Sequence, residues 1–226
     1  MKICTVVLTH DTPLYNQFDY FKRKYLESRN IDHYFVYNGT DTSKHNLTNR
    51  TINYFSNESH PAGVPMMFRK FIEVIKSGLL NKYDFVIRAN SSTFINIDVI
   101  KEILQTKTTK LYMGKCEIDD PSPDFVSGTC TIFSADVLKL LAENSNSVSH
   151  YREDDVVIGQ IMKNIGIPAT YLPWHEFYNY NLDNIPGSEQ IQEALKQPHI
   201  RIMNPINREV IDVVIWKTIM RILNLE

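Results

Sequence analysis

Tyr83-Asp84-Phe85-Val86-Ile87-Arg88-Ala89-Asn90-Ser91-Ser92-Thr93-Phe94-Ile95-Asn96 runs from an apolar stretch into a polar triplet and back out. Asp84 to Ile87 reads as a central strand, because a short continuous apolar run suits a sheet covered on both faces. That strand delivers Asn90-Ser91-Ser92 at its carboxyl end. Just upstream, Met67, Phe68, Phe71, Ile72, Ile75 and Leu79 recur at the spacings of one helix face, which predicts a helix over 64–80. Further upstream, Ile3 to Leu8 is a second buried parallel strand, His33 to Tyr37 a third and Thr51 to Phe55 a weaker one. Thr12-Pro13 starts a helix that continues to about Glu27. Downstream, strands are predicted at 111–113 and 129–133, with helices near 135–143 and 155–165.

Strands alternating with helices predict an α/β fold with a mixed, mostly parallel sheet flanked by helices. Residues 1–172 are expected to form the core. Residues 173–226 are expected as a C-terminal extension packed on it in the same domain, irregular and aromatic until a final helix over 208–225. In such sheets ligands collect at the carboxyl ends of the strands, where the loops after Leu8, Tyr37 and Ile87 would converge.

Composition narrows the classes. The 226 residues are 43% hydrophobic, 11% aromatic and 22% charged with a net charge of −2, which excludes disordered, collagenous and disulfide-scaffold chains. The near-neutral balance argues against a nucleic-acid partner but leaves room for a small anionic substrate in a local basic pocket. Cys4, Cys116 and Cys130 have no metal-ligand spacing and read as reduced thiols. Met1-Lys2 leads straight into a strand with no signal-peptide pattern, and no apolar run reaches the roughly 20 residues of a membrane span. The expectation is a chain without a transmembrane segment, located in the cytoplasm.

The Gly-rich phosphate loops GxxxxGK[ST] and GxGxxG are absent, as are HExxH and GxSxG. Three other segments stand out in order: the strand with its triplet 90–92; the small, flexible Ser127-Gly128-Thr129 turn feeding a β run; and Glu153-Asp154-Asp155-Val156-Val157-Ile158-Gly159, with acids at the mouth of a helix. Together they resemble the GT-A glycosyltransferases, in particular the inverting β-1,3-glycosyltransferase and fringe families. Those carry a DxD triplet after a strand, then a Ser-Gly turn, then an acid-Asp-Val-x-x-Gly helix. The resemblance covers about 64–167, and small glycosyltransferase domains of large DNA viruses are similar in size.

The resemblance implies a sugar transferred from a nucleotide-sugar donor, a UDP-sugar, to a hydroxyl of a glycan or glycoprotein acceptor, with inversion, in a protein of viral or bacterial style that would be cytoplasmic or virion-associated. It implies Asp155 as the base, with Asp154 adjacent. It also implies a donor site built from Thr9, His10, Asp11, Asp41, Lys70, Arg88, Asn90, Ser91, Ser92, Ser127, Gly128 and Arg201. One departure stands out. Asn90-Ser91-Ser92 occupies the DxD position, and hard cations such as Mn2+ or Mg2+ want carboxylate oxygens. Either the metal is held by other acids, or fixed cations neutralise the diphosphate. Lys70 is preferred by position for that role, with Arg69, Arg88 and Arg201 as further candidates.

Several residues keep two readings. Arg88 suits either phosphate binding or a structural ion pair, and Asp154 either chemistry or a helix cap. His199, with Arg201 two residues on, is a candidate phosphate or metal ligand ahead of His175. Trp174, Phe177, Tyr178 and Tyr180 suit sugar stacking or an aromatic cluster. The helix over 208–225 is apolar on almost every face, so it packs on the core, on a second copy in a homodimer, or on an adjoining domain. A catalytically inactive GT-A-like module that only binds sugar or nucleotide is the competing function.

Overall fold

The computed structural model describes residues 1–39, 51–55, 64–107, 109–116, 125–148 and 153–226. Its elements in chain order are β1 (Ile3–Leu8), α1 (Pro13–Ser28), β2 (Asp32–Gly39), β3 (Thr51–Phe55), α2 (Val64–Lys76), β4 (Phe85–Asn90), β5 (Thr93–Ile95), α3 (Ile97–Leu104) and β6 (Tyr112–Gly114). Then come β7 (Cys130–Ser134), α4 (Ala135–Glu143), α5 (Asp154–Asn164), β8 (Thr170–Tyr171), β9 (His175–Phe177), α6 (Ser188–Ala194), β10 (His199–Ile202) and α7 (Arg208–Ile222).

The main sheet has the order β3-β2-β1-β4-β7-β6-β8. Only β7 runs against its neighbours, β4 and β6; the other pairs are parallel. Alternation along β1 and β4 sets which residues meet which helices. Phe85, Ile87 and Ala89 face one core with residues of α1, α3, α6 and α7. Cys4, Val6, Leu8 and Val86 face the other with residues of α2, α4 and α5. By the same parity Arg88 belongs on the α5 side.

A second sheet, β5-β10-β9, was not legible in the sequence. It pairs β5, directly after the triplet, antiparallel to β10 from the C-terminal region. The stretch expected to be irregular therefore contains β9, α6 and β10, and it is tied to the core through β5. Period-2 reading fails on three- and four-residue strands, which is why they were missed.

The final helix is explained by its neighbours. α7 packs against α1 and α6. Trp216 is fully buried and lies nearly parallel to Phe18 and Phe21, with ring centroids 6.0 and 6.2 Å away. The one buried acid on this helix, Asp212, accepts from the Asn204 side chain at 2.7 Å and from Arg208 Nε at 2.8 Å. Val210 and Val214 are what remains exposed of its apolar surface. No helix among the described residues is long and apolar enough to cross a membrane. Cys4 and Cys130 are buried, and no disulfide joins the three cysteines.

Candidate active site

Arg88 and α5 meet as the strand parity requires. The Arg88 guanidinium is fully buried and donates both to the Gly128 carbonyl and to the Asp154 carboxylate. Burial pushes the Asp154 carboxyl up, and the guanidinium against it pulls back. Gly128 has no room for a side chain, since a Cβ there would sit 2.3 Å from an Arg88 nitrogen. The same glycine donates its N–H to Asp155 Oδ2 at 3.0 Å, while Asp155 Oδ1 accepts the Val156 N–H at 2.9 Å. Asp155 is partly exposed, unlike buried Asp154. The Ser-Gly-Thr turn and the acidic helix mouth, 26 residues apart in the chain at Gly128 and Asp154, are thus one assembly.

A second assembly lies behind the triplet. Asp19 and Lys22, one turn apart on α1 and both buried, face the end of β4. Asp19 accepts from Thr9 Oγ1 at 2.6 Å, Tyr37 OH at 2.9 Å and Ser91 Oγ at 2.9 Å. Lys22 Nζ donates to the Asn90 carbonyl at 2.7 Å and the Ser91 carbonyl at 3.2 Å. Desolvation lowers the Lys22 pKa to about 8 although Asp19 works against it. Lys70 is also buried and donates to the Thr9 carbonyl at 3.2 Å, so α1 and α2 fix the loop after β1 from two sides.

The small sheet forms a third wall. Arg201 stands opposite Thr93 on one side and Glu176 on the other, with His199 opposite Ile95. Arg201 Nε lies 3.5 Å from a Glu176 carboxylate oxygen. Among the described residues, neither ring nitrogen of buried His199 has a hydrogen-bond partner, and the same holds for Thr93 Oγ1. Burial, then the nearby Lys115 charge, drive the His199 pKa down to about 3. Lys115 stands 3.4 Å from the Trp174 ring centroid.

The site residues expected from the sequence fall into distinct settings. Asp154 and Arg88 form a buried ion pair beneath the turn rather than lining open space, and the N-cap of α5 is Glu153, not Asp154. Ser91 is turned inward onto Asp19, and Ser92 is buried with its carbonyl taken by the Ile202 N–H at 2.8 Å. Thr9 is buried and structural in its contacts. His10 lies 5.7 Å from the Tyr15 ring, and Asp11 is exposed and accepts from Asn16. Ser127 is partly buried beside Gly128, and Arg69 is exposed. Asp41 lies outside the described residues. Phe177 and Tyr180 pack at 5.8 Å as an aromatic cluster, leaving Trp174 turned toward Lys115. Asp19, Lys22 and Lys115 were missed. The polar pair at i and i+3 inside an otherwise amphipathic α1 was the available signal for the first two.

The donor set does not suit a divalent cation. The triplet contributes an amide and two hydroxyls, one of them already given to Asp19, whose own carboxylate serves three donors. Among the described residues no three His, Cys, Asp or Glu side chains cluster as metal ligands do. His199 has free nitrogens, but Lys115 beside it disfavours any added cation.

Residues 67–173 match the galactosyltransferase family model. Beta-1,3-galactosyltransferase 5 of Homo sapiens is 28% identical over 105 aligned residues, covering 37% of this chain and 34% of that protein. The Pan troglodytes protein of the same name gives 28% identity, with 37% and 35% covered. The chain thus spans about a third of the length of these relatives. The crystal structure of a glycosyltransferase involved in glycosylation of the major capsid of PBCV-1 superposes with a TM-score of 0.52 at 13% identity, covering 88% of this chain and 94% of that one. The fold is that of the GT-A glycosyltransferases, and within it residues 67–173 are similar to the galactosyltransferase family model.

Proposed function

We propose that the protein is an inverting glycosyltransferase that moves a sugar from a nucleotide-sugar donor, a UDP-sugar, to a hydroxyl of a glycan or glycoprotein. The observation that carries this reading is the joining of the Ser-Gly-Thr turn and the acidic helix through the Gly128 N–H and Asp155, in a segment that matches the galactosyltransferase family. In this reading Asp155 is the base. The acceptor oxygen bonds to the anomeric carbon while the bond from that carbon to the diphosphate oxygen breaks. UDP leaves with the electron pair, and Asp155 takes the hydroxyl proton. Gly128 and Val156 aim the carboxylate by holding one oxygen each, so little reorganisation is needed as the proton moves.

The donor end is assigned by position. The nucleotide rests against the loop after β1, at His10 and Asp11, with Thr9 and Lys70 fixing that loop from beneath. Asn90 borders the diphosphate, held in place from behind by Lys22. Arg88 and Asp154 act as a buried support for the turn and for Asp155.

The test is a panel of nucleotide sugars incubated with the full chain, read by mass spectrometry for released nucleotide and for sugar added to glycan acceptors. Turnover of a UDP-sugar is the expected result. Binding of UDP without release from any UDP-sugar, with or without acceptor, would leave an inactive binding module.

A further inference from the structure

We propose that Lys115, Arg201 and His199 form a diphosphate-binding subsite that replaces, with fixed protein groups, a carboxylate-held metal ion. The inference rests on the donor assignment above. Its starting point is the mismatch between the triplet and a hard cation.

Place is the first argument. Lys115 follows β6 directly, and its carbonyl accepts the Ser127 N–H at 2.7 Å, so the lysine is anchored to the same turn that holds Asp155. Arg201 stands across the ladder from Thr93, the residue directly after the triplet. Lys115 and Arg201 also lie near enough to feel each other's charge, so one anion could meet a cation tied to the Ser127 turn and a cation paired beside the triplet.

Unmet hydrogen bonding is the second. Buried polar groups in folded proteins nearly always have partners. Here, among the described residues, fully buried His199 has no hydrogen-bond partner at either nitrogen, and Thr93 Oγ1 and Arg201 Nε lack hydrogen bonds on the same small sheet. These groups offer donors, which suit phosphate oxygens. Electrostatics is the third. Burial first, and then the Arg201 charge, disfavour the Lys115 ammonium, while the single carboxylate of Glu176 acts on Lys115 and pairs with Arg201. A surplus positive charge remains for an anion, and Trp174 beneath the Lys115 ammonium holds it without neutralising it.

Calorimetric titration of the full chain in EDTA with UDP, uridine and inorganic pyrophosphate tests the subsite. The variants are Lys115→Met, Arg201→Met and His199→Gln, with Lys115→Arg as a charge-preserving control and thermal melting to confirm folding. UDP is expected to bind without metal, and each neutral variant to lose roughly tenfold or more for UDP and pyrophosphate but nothing for uridine. Lys115→Arg should retain most of the affinity. Wild-type affinity for UDP in the neutral variants, or UDP binding only when manganese is added, would overturn the subsite while leaving the glycosyltransferase reading intact. Pyrophosphate binding that depends on Lys115, with no binding of UDP, would instead break the donor assignment and assign the anion to another molecule. Absence of binding by every probe would overturn both.

Discussion

The two walls of the candidate site are built on opposite plans. At the start of α5, three charges are met inside the protein: Arg88 meets Asp154 and Gly128, and Asp155 meets two backbone N–H groups. On the small sheet, Thr93, His199 and Arg201 keep polar atoms without hydrogen bonds. The first arrangement is complete before any ligand arrives and suits a group that must be aimed. The second is incomplete by itself and suits a surface that a ligand completes. In the proposed reading, aiming the base falls to α5 and recognition of the diphosphate to β10.

The largest effect should come from the finished wall. Asp155→Asn keeps the acceptor for the Gly128 N–H but cannot take a proton, so transfer should fall by about 10²–10⁴-fold with nucleotide binding retained. Turnover assays beside UDP titration would show it, and full activity would remove Asp155 from the mechanism. Next, Asp154→Leu leaves the Arg88 guanidinium buried without its carboxylate and should lower stability by about 3–5 kcal/mol in urea unfolding. A loss below 1 kcal/mol would mean the pair is not the support described.

The unfinished wall should answer to pH. His199 takes up a proton in the unfolded chain near its ordinary value of 6.5, but in the fold only at about 3. Unfolding therefore binds a proton between those limits, and stability is full above 6.5 and falls as pH falls. At pH 5 the loss from this group is about 2 kcal/mol, from roughly 1.36 kcal/mol per unit. His199→Leu should flatten the difference between pH 7 and pH 5 by that amount in denaturant titrations, and an unchanged slope would remove the buried neutral imidazole. The smallest effect is expected at Lys115→Met. A cation waiting for a ligand contributes little to the empty fold, so stability should stay within about 0.5 kcal/mol of the parent. A loss above 1.5 kcal/mol would move Lys115 from the unfinished wall to the finished one.

Much of the architecture was written locally. The apolar run before Arg88, the α2 stripe and the acids opening α5 gave the starts of β4, α2 and α5 within a residue, while β4 runs on to Asn90 and α2 stops at Lys76, short of the expected 80. The site was legible where chemistry and local pattern coincide, as at Asp154-Asp155 and Ser127-Gly128. It was not legible where function depends on what a side chain meets. Arg88 looked equally fit for a phosphate or an ion pair, and only the parity of β4 against the start of α5 made it the latter. Asp19 and Lys22 carry no local signal of a role beyond their i, i+3 spacing, and they are buried beneath the triplet. α7, apolar on nearly every side, found its cover in α1 and α6.

The sequence by itself determined the α/β alternation, the order of the three motif segments and the absence of a carboxylate pair at 90–92, because each is a property of neighbouring residues. Tertiary structure decided that residues 199–202 would form a strand against 93–95 and bring Arg201 and His199 to the triplet. Pairing between segments about a hundred residues apart depends on loop closure and on competition among all possible partners, which no local pattern encodes.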